Sequence, residues 1–371
     1  MKSKCTKIWA FLLVLAMALG LTACGGNPST TEASGVTEAV GETNGGGETG
    51  ENTGTTAATP GENQIVDGAG IIRDIPENPE TVTMAAVYAV IVPLLEALHV
   101  TDRIVAVNLK SKFWKEADPS LDLPTVGRGV VDLEALATYA PDLFLHRSND
   151  PETIEAVENL GIKTICVTVE NVEDIKTTLV YLGRYLGAEE AAEEAISWIE
   201  GKFAKIDAIT AQIPESEKKT ALLMGGELGR IAGNDMLQSW MIEKAGGICV
   251  ADVGEDHDWI NVGVETVFGW NPDFIFCTSS TMLDYSPEEL LADPTWSAMQ
   301  AVKDSNIYIV PAAIDSWDMP GFSCVLGTFY MLYRMYPDLF SAEEMQQEID
   351  DYYTFMFGKT FDQAYLEYSL D

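Results

Sequence analysis

The sequence predicts an α/β protein of two Rossmann-like βαβ lobes joined by one long α-helix. Three observations carry that reading. Between Gly187 and Ile213 the apolar residues Ala192, Ala195, Ile196, Ile199, Phe203, Ile206, Ile209 and Ile213 fall three and four apart, on one face of a helix. On both sides of this run short β-rich stretches alternate with helical stretches of about ten residues, which implies parallel strands joined by crossover helices. The two sides also share a phrase, VVDLEALATYAPDLFL at Val130 to Leu145 and INVGVETVFGWNPDFIF at Ile260 to Phe276, a weak internal repeat.

The long helix has its own signals. Glu189, Glu190, Glu193 and Glu194 crowd its first turns, where the helix dipole favours negative charge; Lys202 and Lys205 follow, and Pro214 stops it. Roughly 25 residues at 1.5 Å each span about 38 Å, more than a crossover within one small domain needs. Residues 187–213 therefore read as a strut between a lobe at 64–186 and a lobe at 214–371.

The chain begins with an export signal. Lys2, Lys4 and Lys7 precede the apolar run Ile8 to Leu19, about a dozen residues, short for a membrane span and suited to a signal-peptide core. Leu21, Thr22, Ala23 and Cys24, followed by Gly25 and Gly26, resemble the bacterial lipobox, which implies removal of residues 1–23 and a diacylglycerol on Cys24. The remainder of 24–63 is Gly, Thr, Glu, Asn, Ala and Ser with almost nothing large and apolar, so it reads as a disordered tether.

Charge narrows the partners. The net charge of −36 becomes −39 once the three lysines of residues 1–23 are removed, which excludes nucleic acid and argues against a protein lying flat on an anionic membrane. About 310 residues after the tether are enough for two domains with a core each. Of six cysteines, Cys5 and Cys24 are accounted for. Cys166 and Cys277 sit in apolar strand-like runs and read as buried thiols; Cys249 and Cys324 complete the set, and a Cys249 to Cys277 disulfide stays open. No CxxC or Cys/His spacing marks a zinc site.

In the first lobe TVTMAAV, RIVAVNL, DLFLHR and IKTICVTV read as strands, with VPLLEALHV, LEALATYAP and ETIEAVENLG as the helices between them. Ligands of such sheets bind beyond the carboxyl ends of the strands. That nominates the loops at Ala85 to Tyr88, Gly127 to Val131 and His146 to Asn149. Arg128 and Arg147, two of only seven arginines, stand there as positive points for an anionic ligand, unless each pairs with a surface acid. His146, one of three histidines, reads as structural.

The second lobe restarts with TALLMGG and continues through DMLQSWMIEKAGG, ICVADV, VETVFGWNP, DFIFCTSS, SNIYIVP and a helical end. Its loop candidates are Arg230 and Asn234, His257 to Trp259, Ser279 and Ser280, and Trp317 with Asp318. Trp259 and Trp317 suit either a cleft that stacks on a rigid ligand or the core. Asp318, ahead of the apolar run FSCVLGTFYMLYRMY, reads as a helix N-cap. Residues 341–371 should pack on this lobe.

With these parts in place the chain resembles the class III substrate-binding lipoproteins of bacterial ABC importers over residues 64 to about 340. The phrases are GIIRDIPENPETV, VGRGVVDLEALATYAPDLFL, GRIAGNDMLQSWMIEKAGG, VETVFGWNPDFIF, DPTWSAMQAVKDSNIYIVP and WDMPGFSCVLGTFYMLYRMYPDLF. The resemblance implies an extracytoplasmic, lipid-anchored protein that hands a small molecule to an ABC permease and its ATPase, with lobes that close little. It places permease-docking acids at Glu134 and Glu265. Ligand identity does not carry over: a ferric siderophore is the first choice, cobalamin or another corrinoid the second, and haem and molybdate-like oxyanions stay open. The ligand-binding candidates are Tyr88, Arg128, Arg147, Arg230, His257, Trp259, Ser279 and Trp317; no bare-metal site and no resident cofactor is expected. An enzyme on a doubly wound scaffold is the rival class, but GxSxG, HExxH, GxxxxGK[ST] and a GxGxxG between strand and helix are all missing.

Overall fold

The folded chain enters through a hairpin, β1 (Gln64–Val66) with β2 (Ile72–Asp74), whose turn is closed by Asp67: its carboxylate accepts the N–H groups of Ala69 and Ile71 and pairs with Arg73. The computed structural model describes residues 60–371 apart from 89, 109–114, 116, 128–129, 254–257, 279–282, 313, 315, 367 and 371. Cys24 and the tether through residue 59 lie outside the described residues, and the reading of its last residues as disordered is corrected: in 60–63, Asn63 O accepts from Ile75 N and Glu62 O from the Arg184 guanidinium, tying the segment to the end of β2 and to the helix that carries Arg184. Among those described, no helix is long and apolar enough to cross a membrane.

The first lobe runs β3 (Met84–Ala86), α1 (Ile91–Ala97), β4 (Ile104–Val107), α2 (Leu133–Tyr139), β5 (Leu143–Arg147), α3 (Pro151–Glu158) and β6 (Lys163–Val167). Its four strands are parallel in the order β4-β3-β5-β6. Then comes α4 (Val172–Leu186), a helix the sequence reading left unassigned, capped by Asn171 and ended by Gly187 at φ +66°, the left-handed region open to glycine. The chain turns there into α5 (Glu189–Thr210), so the long helix is the second arm of a helical hairpin. Its 22 residues bury Ala192, Ala195, Ile199, Phe203 and Ile206.

The second lobe holds β7 (Thr220–Met224), β8 (Arg230–Ala232), α6 (Leu237–Lys244), β9 (Ile248–Cys249), β10 (Trp259–Asn261), α7 (Val264–Trp270), β11 (Phe274–Cys277), α8 (Pro287–Ala292), α9 (Gln300–Lys303), β12 (Ile307–Ile309), α10 (Cys324–Met335), α11 (Ala342–Phe357) and α12 (Gln363–Leu366). Strands β9, β7, β11 and β12 are parallel, while β8 and β10 add an antiparallel ribbon at one edge. The stretches around Arg230 and Trp259, expected as loops, form that ribbon.

Strand alternation sorts the core. Phe144 on β5 and Ala85 on β3 face a small cluster outside the first sheet, and Leu222, Met224, Ile275 and Cys277 face another outside the second. Their neighbours Met84, Leu143, Leu145, Ala221, Leu223 and Phe276 all belong to one cluster that runs on through α4, α5, α10 and α11. Composition suggested a separate core for each lobe; the largest cluster is instead shared by both. Helix α11 packs against α10 and also reaches α1 of the first lobe, so the C-terminal segment does not lie on the second lobe alone. Cys249 and Cys277 are free thiols, which removes the disulfide between them.

The repeated phrase folds alike in both lobes. Helices α2 and α7 have seven residues each, end on a left-handed residue (Ala140, φ +43°; Asn271, φ +45°) and continue through Pro-Asp into β5 and β11. In the first lobe Asp142 Oδ2 accepts from Thr83 N and Oγ1 at 2.9 and 2.7 Å. In the second, Asp273 Oδ2 accepts from Thr220 N and Oγ1, both at 2.9 Å. Each aspartate N–H in turn donates to the threonine hydroxyl at 3.0 Å.

Candidate functional site

The carboxyl ends of the two parallel sheets enclose a cavity of about 510 Å³. From the first lobe it takes Arg147, the last residue of β5, with Asn149 and Glu170; from the second, Gly226, Arg230, Asp235 to Gln238, Asp258, Trp259, Thr278, Met319 and Pro320. Arginines therefore enter from opposite lobes beside one tryptophan and an apolar patch of Met236, Leu237, Met319 and Pro320.

Each positive group is set by its strand. Arg147 follows His146 on β5, and alternation buries the imidazole while turning the guanidinium outward. His146 Nε2 bonds Asp150 Oδ2 at 2.9 Å, and burial holds the imidazole below its usual pKa despite that carboxylate. It is a structural histidine. Asp150 also caps α3, and Arg147 reaches it only at 4.0 Å. Arg230 sits opposite Asn261 in the β8–β10 ribbon, with Trp259 on the diagonal; the guanidinium lies 5.9 Å from the indole centroid and has no ion pair among the described residues. Gly225 seats the ring, since a Cβ there would stand 2.9 Å from it.

Of the sequence candidates, the structure brings Arg147, Arg230 and Trp259 together. Tyr88 is half-buried behind them: desolvation pushes its phenol up to about 12, with Glu170 adding to the shift and Arg147 opposing it. Trp317 is corrected. It is 1% exposed in the shared core, where Nε1 donates to Tyr353 and the ring packs on Tyr330 and Tyr368. Asp318 is corrected too: it caps no helix, the residue ahead of α10 being Ser323, and its carboxylate accepts from Thr278. Arg128, His257 and Ser279, with Ser280, lie outside the described residues. Glu134 and Glu265 are exposed, each at the second position of α2 and α7, away from the cavity lining. Among the described residues no group of three or more His, Cys, Asp or Glu could hold a metal ion.

Sequence reasoning nominated most of the right loops and missed side chains one or two places along. Asn149 and Asp258 lie inside nominated stretches, while Thr278, Met319 and Pro320 border nominated residues. Glu170 and Gln238 had no local signal, because only the fold shows that the end of β6 and the first turn of α6 face the same space.

With this geometry established, comparison with known proteins identifies the class. The model of the periplasmic binding protein family matches residues 84–314, well over half of the chain, and the chain belongs to that family. It is a class III substrate-binding protein of an ABC importer, from a family of extracytoplasmic transport components. Among curated relatives, the molybdate-binding protein MolA of Haemophilus influenzae is 23% identical over 245 residues, 60% of this chain and 69% of MolA. Among solved structures, a periplasmic solute-binding protein of Veillonella parvula matches with a TM-score of 0.69 and 23% identity over 82% of this chain and 95% of that one. MolA bound to molybdate gives 0.69 and 17%, over 81% and 99%. CeuE of Helicobacter pylori with Ni(II) bound gives 0.66 and 17%, over 82% and 98%.

Proposed function

We propose that the cleft captures an anionic metal chelate, a ferric siderophore first, and that a lipid on Cys24 holds the protein at the membrane while Glu134 and Glu265 dock it to the permease. The observation that supports the ligand class is the pair Arg147 and Arg230, entering from opposite lobes onto Trp259 and an apolar wall. Guanidinium groups recognise carboxylates and oxygen clusters, and the indole offers a flat face. A cavity of about 510 Å³ is the size that encloses an organic ligand. A bare oxyanion is the second reading, favoured by the likeness to MolA.

Tryptophan-fluorescence titration tests this, because Trp259 lines the cavity. The panel is ferric catecholate and hydroxamate chelates, haem, cobalamin and molybdate, corrected for absorbance. A saturable response to a ferric chelate is expected, weakened by about 1.5 to 3 kcal/mol in Arg147→Ala and in Arg230→Ala, as for hydrogen bonds to charged groups. Saturation by molybdate alone favours the second reading, and unchanged affinity in both variants removes the arginines from recognition.

A further inference from the structure

The floor of the cleft holds more acceptors than donors. Gln238, on the first turn of α6, and Thr278, just past β11, line the cavity, and Asp318 precedes Met319, which lines it too. The three are 3%, 1% and 0% exposed. Thr278 Oγ1 donates to Asp318 Oδ2 at 2.5 Å, and Gln238 Nε2 donates to the Asp318 carbonyl at 2.7 Å. The second bond fixes the direction of the amide, because the alternative would set its own oxygen against a carbonyl oxygen. Gln238 Oε1 and Asp318 Oδ1 are then left buried with no hydrogen-bond partner. Buried orphan acceptors are rare, since their lost hydration goes uncompensated. Two in one bonded network, at the base of a ligand cleft, point to a group that arrives with the ligand.

We infer that the cargo carries a hydroxyl or amide N–H that donates to this floor at Gln238 while its negative groups meet Arg147 and Arg230. The inference rests on the anion capture proposed above and narrows its class to a hydroxyl- or amide-bearing polyanion or anionic chelate. An acceptor-only oxyanion fits less well. Molybdate in neutral solution presents oxygens without hydrogen, which the floor would meet acceptor to acceptor, in a cleft whose walls already carry the carboxylates Glu170, Asp235 and Asp258. The floor keeps this character at neutral pH. Burial pushes the Asp318 carboxyl up to about 6, so above that it remains an ionised acceptor.

Citrate and tricarballylate test it, since they carry the same carboxylates and differ by one hydroxyl. Calorimetric titration of the full chain at about pH 7.5 should show citrate binding about tenfold tighter, the worth of one added hydrogen bond. Gln238→Met, similar in shape and without the oxygen, should abolish that preference. Asp318→Asn, isosteric and able to supply its own N–H, should reduce it, and serves if Gln238→Met does not fold. Arg147→Ala should weaken both anions alike. Equal binding of the two anions by the wild-type protein overturns the donor inference and leaves anion capture standing. A preference that survives both floor variants overturns it as well. Binding of neither anion at millimolar concentration overturns anion capture, and this inference with it.

Discussion

At the scale of single residues, two buried acids sit where a folded protein tolerates them only at a cost. Asp318 is one, beneath the cleft. Glu96 is the other, on the fully buried helix α1, with Oε2 unpartnered at the edge of a second cavity shared with the end of α11. Desolvation, and then the nearby negative charge of Asp118, push the Glu96 carboxyl up to about 8, partly offset by the Thr101 hydroxyl. The native state thus holds a proton that the unfolded chain releases near its ordinary carboxyl value of 4.5. Between those values the folded form binds more protons, so this residue's effect on stability becomes less favourable as pH rises from about 4.5 to about 8. Glu96→Gln removes the titration. It should stabilise the protein by roughly 2 to 4 kcal/mol at about pH 8 and change little near pH 4. Denaturant midpoints at the two pH values check this, and a gain of equal size at both would show that packing, not ionisation, is responsible. Neither acid's state was readable from the sequence, where Glu96 is one of 58 acids and Asp318 reads as a cap.

At the scale of elements, the strut is held by more than its own periodicity. Lys202 and Lys205 reach out of α5 to Glu348 of α11, both at 2.5 Å, and Lys202 also pairs with Asp351 at 2.9 Å. One turn earlier Trp198 stacks on Phe322 and Phe355. The Glu348 side chain is only 3% exposed, so stripping both lysines would leave a buried carboxylate unpaired. Lys202→Met with Lys205→Met should lower stability by about 3 to 5 kcal/mol, and adding Glu348→Met should restore most of it, because a buried ion cluster replaced by apolar side chains is often neutral. Urea unfolding of the double and triple variants checks both steps, and failure of the third substitution to rescue would assign the loss to packing around Trp198. The apolar stripe of the helix was legible because it repeats locally. The ion cluster of the two lysines was not legible, because their partner Glu348 lies more than a hundred residues away. The same distance hid the contact of α11 with α1.

At the scale of the molecule, legibility followed the same division. Alternating strands and helices, the long helix and the repeated phrase are short-range patterns, and they carried the fold. The cleft is a meeting of strand ends from both lobes, so its loops were nominated while Gln238 and Glu170 were not. The shared core was invisible to composition, which sees apolar residues but not which sheet face they occupy. That core bears on transport. Inner faces of both sheets pack into one cluster through α5, α10 and α11, so the lobes have little freedom to separate. Glu134 and Glu265 stand on equivalent seven-residue helices, each followed by the same Thr-Asp latch, and with both lobes tied into one core their spacing is expected to change little when the cleft fills. Two acids at a fixed spacing suit a two-point contact with paired positive sites, in which loss of one weakens docking and loss of both removes it. Glu134→Lys and Glu265→Lys should each reduce uptake, and together abolish it, while the purified double variant keeps wild-type affinity for its cargo. Uptake assayed beside fluorescence titration separates the outcomes: transport that survives double reversal removes docking through these helices, and affinity that falls with it places the two glutamates in recognition of the ligand.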